Sequence, residues 1–236
     1  MDSRYDLSEW AERTNLGRRI LNIGYRLVSS DLKGWKLIKT VPMETNRSEG
    51  ELAYVWVGND DPDRSMIRVA TAEFPDWGAA HERLLEDLRA SMRSDIPPGT
   101  GELAALGDVN YVARDPETDV PASISFTRGN VMVTVRSVGD RTVAVGDVAV
   151  RIDRSLSRRP RRRQETRGQG KTVSITIGVR RAQDSHVLFK SLDLAAPRGS
   201  WLQIIAPEGE LRRENEAVIY TADSPGEMTI ETFLRR

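Results

Sequence analysis

The hydrophobic and polar positions divide the chain into a long patterned stretch, a short stretch with no apolar pattern, and a second patterned stretch. At the start, Leu7, Trp10, Ala11, Leu16, Ile20, Ile23 and Leu27 recur at three- and four-residue spacing. This predicts a helix over residues 7–29, with Gly17 and Gly24 as points where it could split. Strand-like runs follow at 35–41, 51–57 and 65–74. In the second of these, Leu52, Tyr54 and Trp56 alternate with Ala53, Val55 and Val57. The turn from Gly58 to Asp63 separates the last two runs. Residues 76–93 carry an apolar stripe of Trp77, Ala80, Leu84, Leu88 and Met92, with Asp76 as N-cap and Pro97-Pro98-Gly99 as stop. A strand over 106–113 comes next. Strands at 122–127 and 131–137 then form a hairpin around Arg128-Gly129-Asn130. In its second strand Val131, Val133 and Val135 face one way and Met132, Thr134 and Arg136 the other. A last helix is capped by Thr142 and carries Val145, Val148, Ile152 and Leu156. Helix, strands, helix, strands and helix in this order predict an α+β domain with a mainly antiparallel sheet.

After Leu156 the apolar pattern stops. Residues 154–171, RSLSRRPRRRQETRGQGK, carry eight basic residues against one acid, Glu165. Such a stretch buries nothing and reads as a tether. It predicts an α+β domain over 1–156, a basic linker over 157–171 and a β-sandwich over 172–236. The smaller unit is near the lower size limit for folding alone, so it is expected to lean on its neighbour. Formal net charge is zero, but residues 1–153 sum to −6, the 154–171 tract to +7 and the remainder to −1. The basic tract suits a polyanion or an acidic surface, including that of its own first domain.

Beyond the linker the pattern is all-β. Val173, Ile175, Ile177 and Val179 alternate, and runs at 186–194, 201–205, 217–221 and 228–233 follow, separated by turns containing Pro and Gly. The segment Tyr220-Thr221-Ala222-Asp223-Ser224-Pro225-Gly226-Glu227-Met228-Thr229-Ile230 resembles the penultimate and final strands of bacterial immunoglobulin-like modules. The resemblance covers about a quarter of the chain and implies a small sandwich; the cysteines and core Trp of antibody-type domains are missing. In the first domain, Gly107-Asp108 with the segment from Ile124 to Val131 is faintly similar to α+β domains of bacterial exported proteins and lipoproteins.

The chain has no cysteine, which excludes disulfides, thiolate metal sites and thiol nucleophiles. No run approaches the roughly 20 apolar residues of a membrane-spanning helix. Gly170-Lys171-Thr172 matches the end of a phosphate-binding loop, but Glu165 stands where that loop needs Gly, and a strand follows where it needs a helix. Gly99-Thr100-Gly101 follows prolines rather than a strand, and reads as a turn. Asn59, Asp60, Asp61 and Asp63 supply oxygen ligands without the spacing of a calcium loop. Asp184-Ser185-His186 names the types of a hydrolase triad, but neighbours on an extended chain point to opposite faces. His81 is placed near the polar edge of its helix. Glu82 and Glu86, flanked by Arg83 and Arg89, read as a solvated face. Trp10, Trp35, Trp56 and Trp77 are assigned to core, while Trp201, after a Pro-Arg-Gly-Ser turn, is placed in an exposed loop.

Together these features predict a non-enzymatic binding or assembly protein that contacts a protein partner through loops and sheet edges, such as 197–201 and 223–227. A carboxylate-based hydrolase and a polyanion-associated protein are the alternatives. The contact candidates are Arg158, Arg159, Arg161, Arg162, Arg163 and Trp201. No cofactor and no metal is implied. A bacterial periplasmic or extracellular location, with a signal removed, is expected, and a cytoplasmic one is the alternative.

Overall fold

The computed structural model describes residues 17–43, 49–91, 96–157, 171–179, 185–190, 201–206, 208–215, 217–221 and 226–234. Its centre is a six-stranded antiparallel sheet. The strands are β2 (Trp35–Pro42), β3 (Glu49–Gly58), β4 (Met66–Glu73), β5 (Val109–Arg114), β6 (Pro121–Arg128) and β7 (Val131–Ser137), in the order β2-β3-β4-β7-β6-β5. Helix α1 (Trp77–Ala90) packs on one face and α2 (Gly146–Leu156) on the other. The molecule is therefore α+β with mostly antiparallel sheet.

Alternation along the strands sorts the two faces. Tyr54, Trp56, Ile67, Val69, Ile124, Phe126, Val131, Val133 and Val135 join Val148, Ala149, Ile152 and Leu156 of α2 in the larger core. On the opposite face Ala72, Val109, Tyr111 and Met132 meet Ala80, Leu84, Leu85 and Leu88 of α1. The Asp76 carboxylate caps α1 as its sequence predicts, accepting the Ala79 N–H at 2.9 Å. The start of α2 differs from expectation. Thr142 does not cap it; its hydroxyl donates to Asp115 instead, at 3.1 Å. The helix begins after Val145, whose N–H donates to the Pro121 carbonyl.

The predicted helix over 7–29 is overturned where the structure describes it. Ile20–Ile23 is a strand, β1, antiparallel to β10 (Leu202–Ile205). Strand pairing outweighed a helical spacing broken by Gly17 and Gly24; residues 1–16 lie outside the described residues. Two smaller antiparallel sheets complete the described strands. One has the order β1-β10-β13-β8, with β8 Lys171–Val179 and β13 Gly226–Leu234; the other has β11-β12-β9, with β9 Ser185–Lys190, β11 Glu210–Glu214 and β12 Ala217–Thr221.

The turn between β6 and β7 fastens β1 to the large sheet. Gly129 has φ +58°, and a Cβ there would lie 2.5 Å from the Ile20 carbonyl oxygen. The next residue, Asn130, is buried. Its side-chain oxygen accepts the Asn22 N–H at 2.7 Å, and its amide nitrogen donates to the carbonyls of Asn22 (2.8 Å) and Phe74 (3.0 Å). Asn22 in turn accepts from Trp201 Nε1 (3.2 Å) and Gln203 Nε2 (2.9 Å). Trp201 is 2% exposed and packs edge-on against Tyr25, with ring centroids 4.8 Å apart. Its expected place in an exposed loop is thus corrected: the indole fills the core beneath α2.

Asn130→Ala would leave three backbone groups without their partner, and is expected to lower stability by about 2–4 kcal/mol in urea unfolding. Asn130→Asp keeps the acceptor but sets a carboxylate oxygen against two carbonyls. It is expected to be more damaging than Ala at neutral pH and to lose that extra penalty progressively as pH falls to about 4 and the carboxyl protonates.

Candidate binding groove

α1 lies over β6 and β7 and leaves part of the same sheet face open. A row of small side chains crosses it in register, Ala53 opposite Ala70, Ala70 opposite Thr134, and Thr134 opposite Ser125. Because these side chains are short, the face is depressed there. The resulting groove has a volume of about 280 Å³. Ala70, Ala72, Met132 and Thr134 line it from the sheet, Arg83 and Asp87 from α1, and Met43 and Glu51 from the β2–β3 end. The Thr134 hydroxyl lies 3.2 Å from that of Ser125.

Arg68 and Arg136 form the bank next to this row. They are direct cross-strand partners in the β4–β7 ladder and so project from the same face. Like charges in this arrangement repel. Arg68 Nη2 reaches only the Met43 sulfur, at 3.3 Å. Among the described residues, neither arginine lies within ion-pair distance of a carboxylate. Arg83 differs, because its Nε donates to Asp87 at 2.7 Å across one helical turn. The groove thus joins an apolar floor to two guanidinium groups without an acidic partner.

The titratable groups most displaced from their ordinary values lie elsewhere, sealed in the structure. Asp108 and Asp153 hold Arg128 between them. Arg128 Nη1 donates to Asp108 at 2.8 Å, while Nε and Nη2 donate to the two oxygens of Asp153 at 2.7 and 3.0 Å. Burial pushes the Asp108 carboxyl up to about 6 against the pull of Arg128 and the Gly129 N–H. Burial likewise pushes Glu73 up to about 7, although the N–H groups of Gly24 and Tyr25 donate to it and Arg26 is nearby. His81, placed by its sequence near a polar edge, is instead wholly buried. It stands edge-on to Trp77 at 5.0 Å, both ring nitrogens lack a partner, and burial lowers it to about 4. None of these groups lines the groove.

The remaining sequence candidates divide as follows. Arg158, Arg159, Arg161, Arg162 and Arg163 lie outside the described residues, as do Trp10, Gly170 and Asp184. So do residues 197–200 and 223–225 of the two contact loops. The Asn59–Asp63 segment is a turn in which the Asp61 carbonyl accepts the Ser65 N–H at 2.9 Å. Among the described residues no group of three or more histidine, aspartate or glutamate side chains converges, and no helix is long and apolar enough to cross a membrane. Trp56 is buried, while Trp35 and Trp77 are only partly so. Sequence inspection missed the groove. The signal available was Arg136 on the non-valine face of its strand, but its pairing with Arg68 depends on strand order.

Glu73 and Asp108 hold protons in the folded state at pH values where the unfolded chain has lost them. The stability they contribute is full below about pH 4 and is lost as pH rises through about 6 to 7. His81 has the opposite sign: its contribution is present above about pH 6.5 and is lost as pH falls through about 4. Guanidinium unfolding from about pH 5 to pH 8 is therefore expected to show Glu73→Gln losing less stability with rising pH than the unaltered chain. Parallel curves would refute the displaced titration of Glu73. No family model, curated protein or solved structure matches the chain.

Proposed function

We propose that this chain is a non-enzymatic binding protein, and that the groove beside α1 captures a small anion. One observation carries the proposal: Arg68 and Arg136 stand opposite one another on a concave surface, and among the described residues neither lies within ion-pair distance of a carboxylate. An anion seated there would offset their repulsion, and guanidinium groups match oxyanions well in charge and shape. The hydrolase alternative requires two carboxylates flanking an open site. The buried carboxylates of raised pKa instead face arginines and backbone N–H groups. Glu51 and Asp87 in the groove are accompanied by three arginines.

For the C-terminal strands we propose an immunoglobulin-like sandwich. Antiparallel sheets of four and three strands support it, with β1 supplied from the N-terminal side of the chain.

The groove is tested by calorimetric titration with three probes of similar size, benzoate, benzamide and benzylammonium. Benzoate is expected to bind with one-to-one stoichiometry in preference to the other two. The Arg68→Ala/Arg136→Ala double variant should weaken benzoate by tenfold or more, on the order expected for lost charge-assisted hydrogen bonds. Equal binding of benzoate and benzylammonium, or a double variant that binds benzoate unchanged, would overturn the proposal.

A further inference from the structure

We infer that the groove's ligand is an aliphatic monocarboxylate with a short unbranched tail, an inference that rests on the groove being the binding surface. The charges choose the head group. Among the described lining residues, Arg68, Arg83 and Arg136 stand against Glu51 and Asp87, one positive charge in excess. A monoanion balances that excess, whereas a second negative charge would face Glu51 and Asp87. The cross-strand pair presents two guanidinium forks on one bank, and a carboxylate has two oxygens to receive them.

The floor chooses the tail. Ala70 and Ala72 lie along β4, with Met132 beside Ala72 on β7. These offer carbon and sulfur surface, beside the hydroxyl-bearing Thr71 and Thr134. The methionine side chain is unbranched and adaptable, and can follow the shape of a flexible hydrocarbon. Volume sets the length. At about 30 Å³ per water-sized group, the 280 Å³ cavity holds about nine non-hydrogen atoms. A carboxylate takes three of these, leaving about six carbons.

The experiment is a titration of the whole chain with acetate, butanoate, hexanoate and octanoate, followed by hexyl phosphate and hexylammonium. Affinity should rise about fourfold per methylene, the ratio expected for burying hydrocarbon, and level off between hexanoate and octanoate as the groove fills. Hexanoate should bind at least as tightly as hexyl phosphate, and hexylammonium should not compete with it. Met132→Gln, which keeps the length but makes the floor polar, should flatten the chain-length dependence. If hexyl phosphate binds more tightly than hexanoate, or if affinity ignores chain length while still requiring Arg68 and Arg136, the monocarboxylate assignment fails and anion capture survives. If hexanoate and hexyl phosphate both bind independently of the two arginines, or no anion binds, the assignment and the anion groove fail together.

Discussion

The buried side chain of Asn130 is the constraint on which the arrangement of sheets depends. It sits where β1, the end of β4 and the β6–β7 turn meet. Each of these segments leaves backbone polar groups facing the interior. A buried N–H or C=O without a partner costs about as much as a lost hydrogen bond, so the junction requires a side chain that both donates and accepts. Asn130 does this, accepting the Asn22 N–H and donating to the carbonyls of Asn22 and Phe74. Once Asn22 is fixed, its own amide oxygen is positioned to receive Trp201 and Gln203. The side chains of one short turn and one short strand thereby locate a C-terminal strand against the core beneath α2.

Fixing the junction also fixes what is left uncovered. The N-terminal end of α1 is set by Asp76, three residues after the last residue of β4, so the helix must cross the sheet from that corner. It lies over β6 and β7 and buries Leu84, Leu85 and Leu88 there. The row from Ala53 to Ser125 lies partly beyond its reach. On the other face large side chains such as Trp56, Phe126 and Ile152 fill the layer beneath α2 together with Trp201. The groove thus follows from placing short side chains on one face of the central strands and long ones on the other.

Much of the large sheet was legible in the sequence because period-two alternation and turn chemistry act locally. The 51–57, 65–74, 122–127 and 131–137 runs fall on β3, β4, β6 and β7, and Asp76 and Gly129 act as their residue types predict. What could not be read depends on partners distant in sequence. Ile20, Ile23 and Leu27 have helical spacing, yet the pairing of Ile20–Ile23 with residues 202–205 decides their conformation. Trp201 was assigned by the turn before it, whereas Asn22 and Tyr25 hold it inside. His81 has polar residues as sequence neighbours but the edge of Trp77 as a spatial one. The groove needed the strand order itself, because nothing in the chain says that residue 68 will stand opposite residue 136.

Three places in the fold carry an electrostatic cost, and how each is met separates structure from function. Asp108 and Glu73 are buried acids, but Asp108 receives one backbone N–H and Glu73 two, and each has an arginine nearby, so the surrounding fold offsets part of the cost. His81 has no hydrogen bond to offset its burial, but it remains neutral and sealed, beyond the reach of any ligand. Arg68 and Arg136 are different. They repel across the ladder at a concave, solvent-reachable surface, and an acidic residue at either position would turn the repulsion into a favourable pair. Local features that work against stability are expected where function requires them. Of these three, the arginine pair combines such a cost with access for a counter-charge, and a bound oxyanion is the simplest physical means of meeting it.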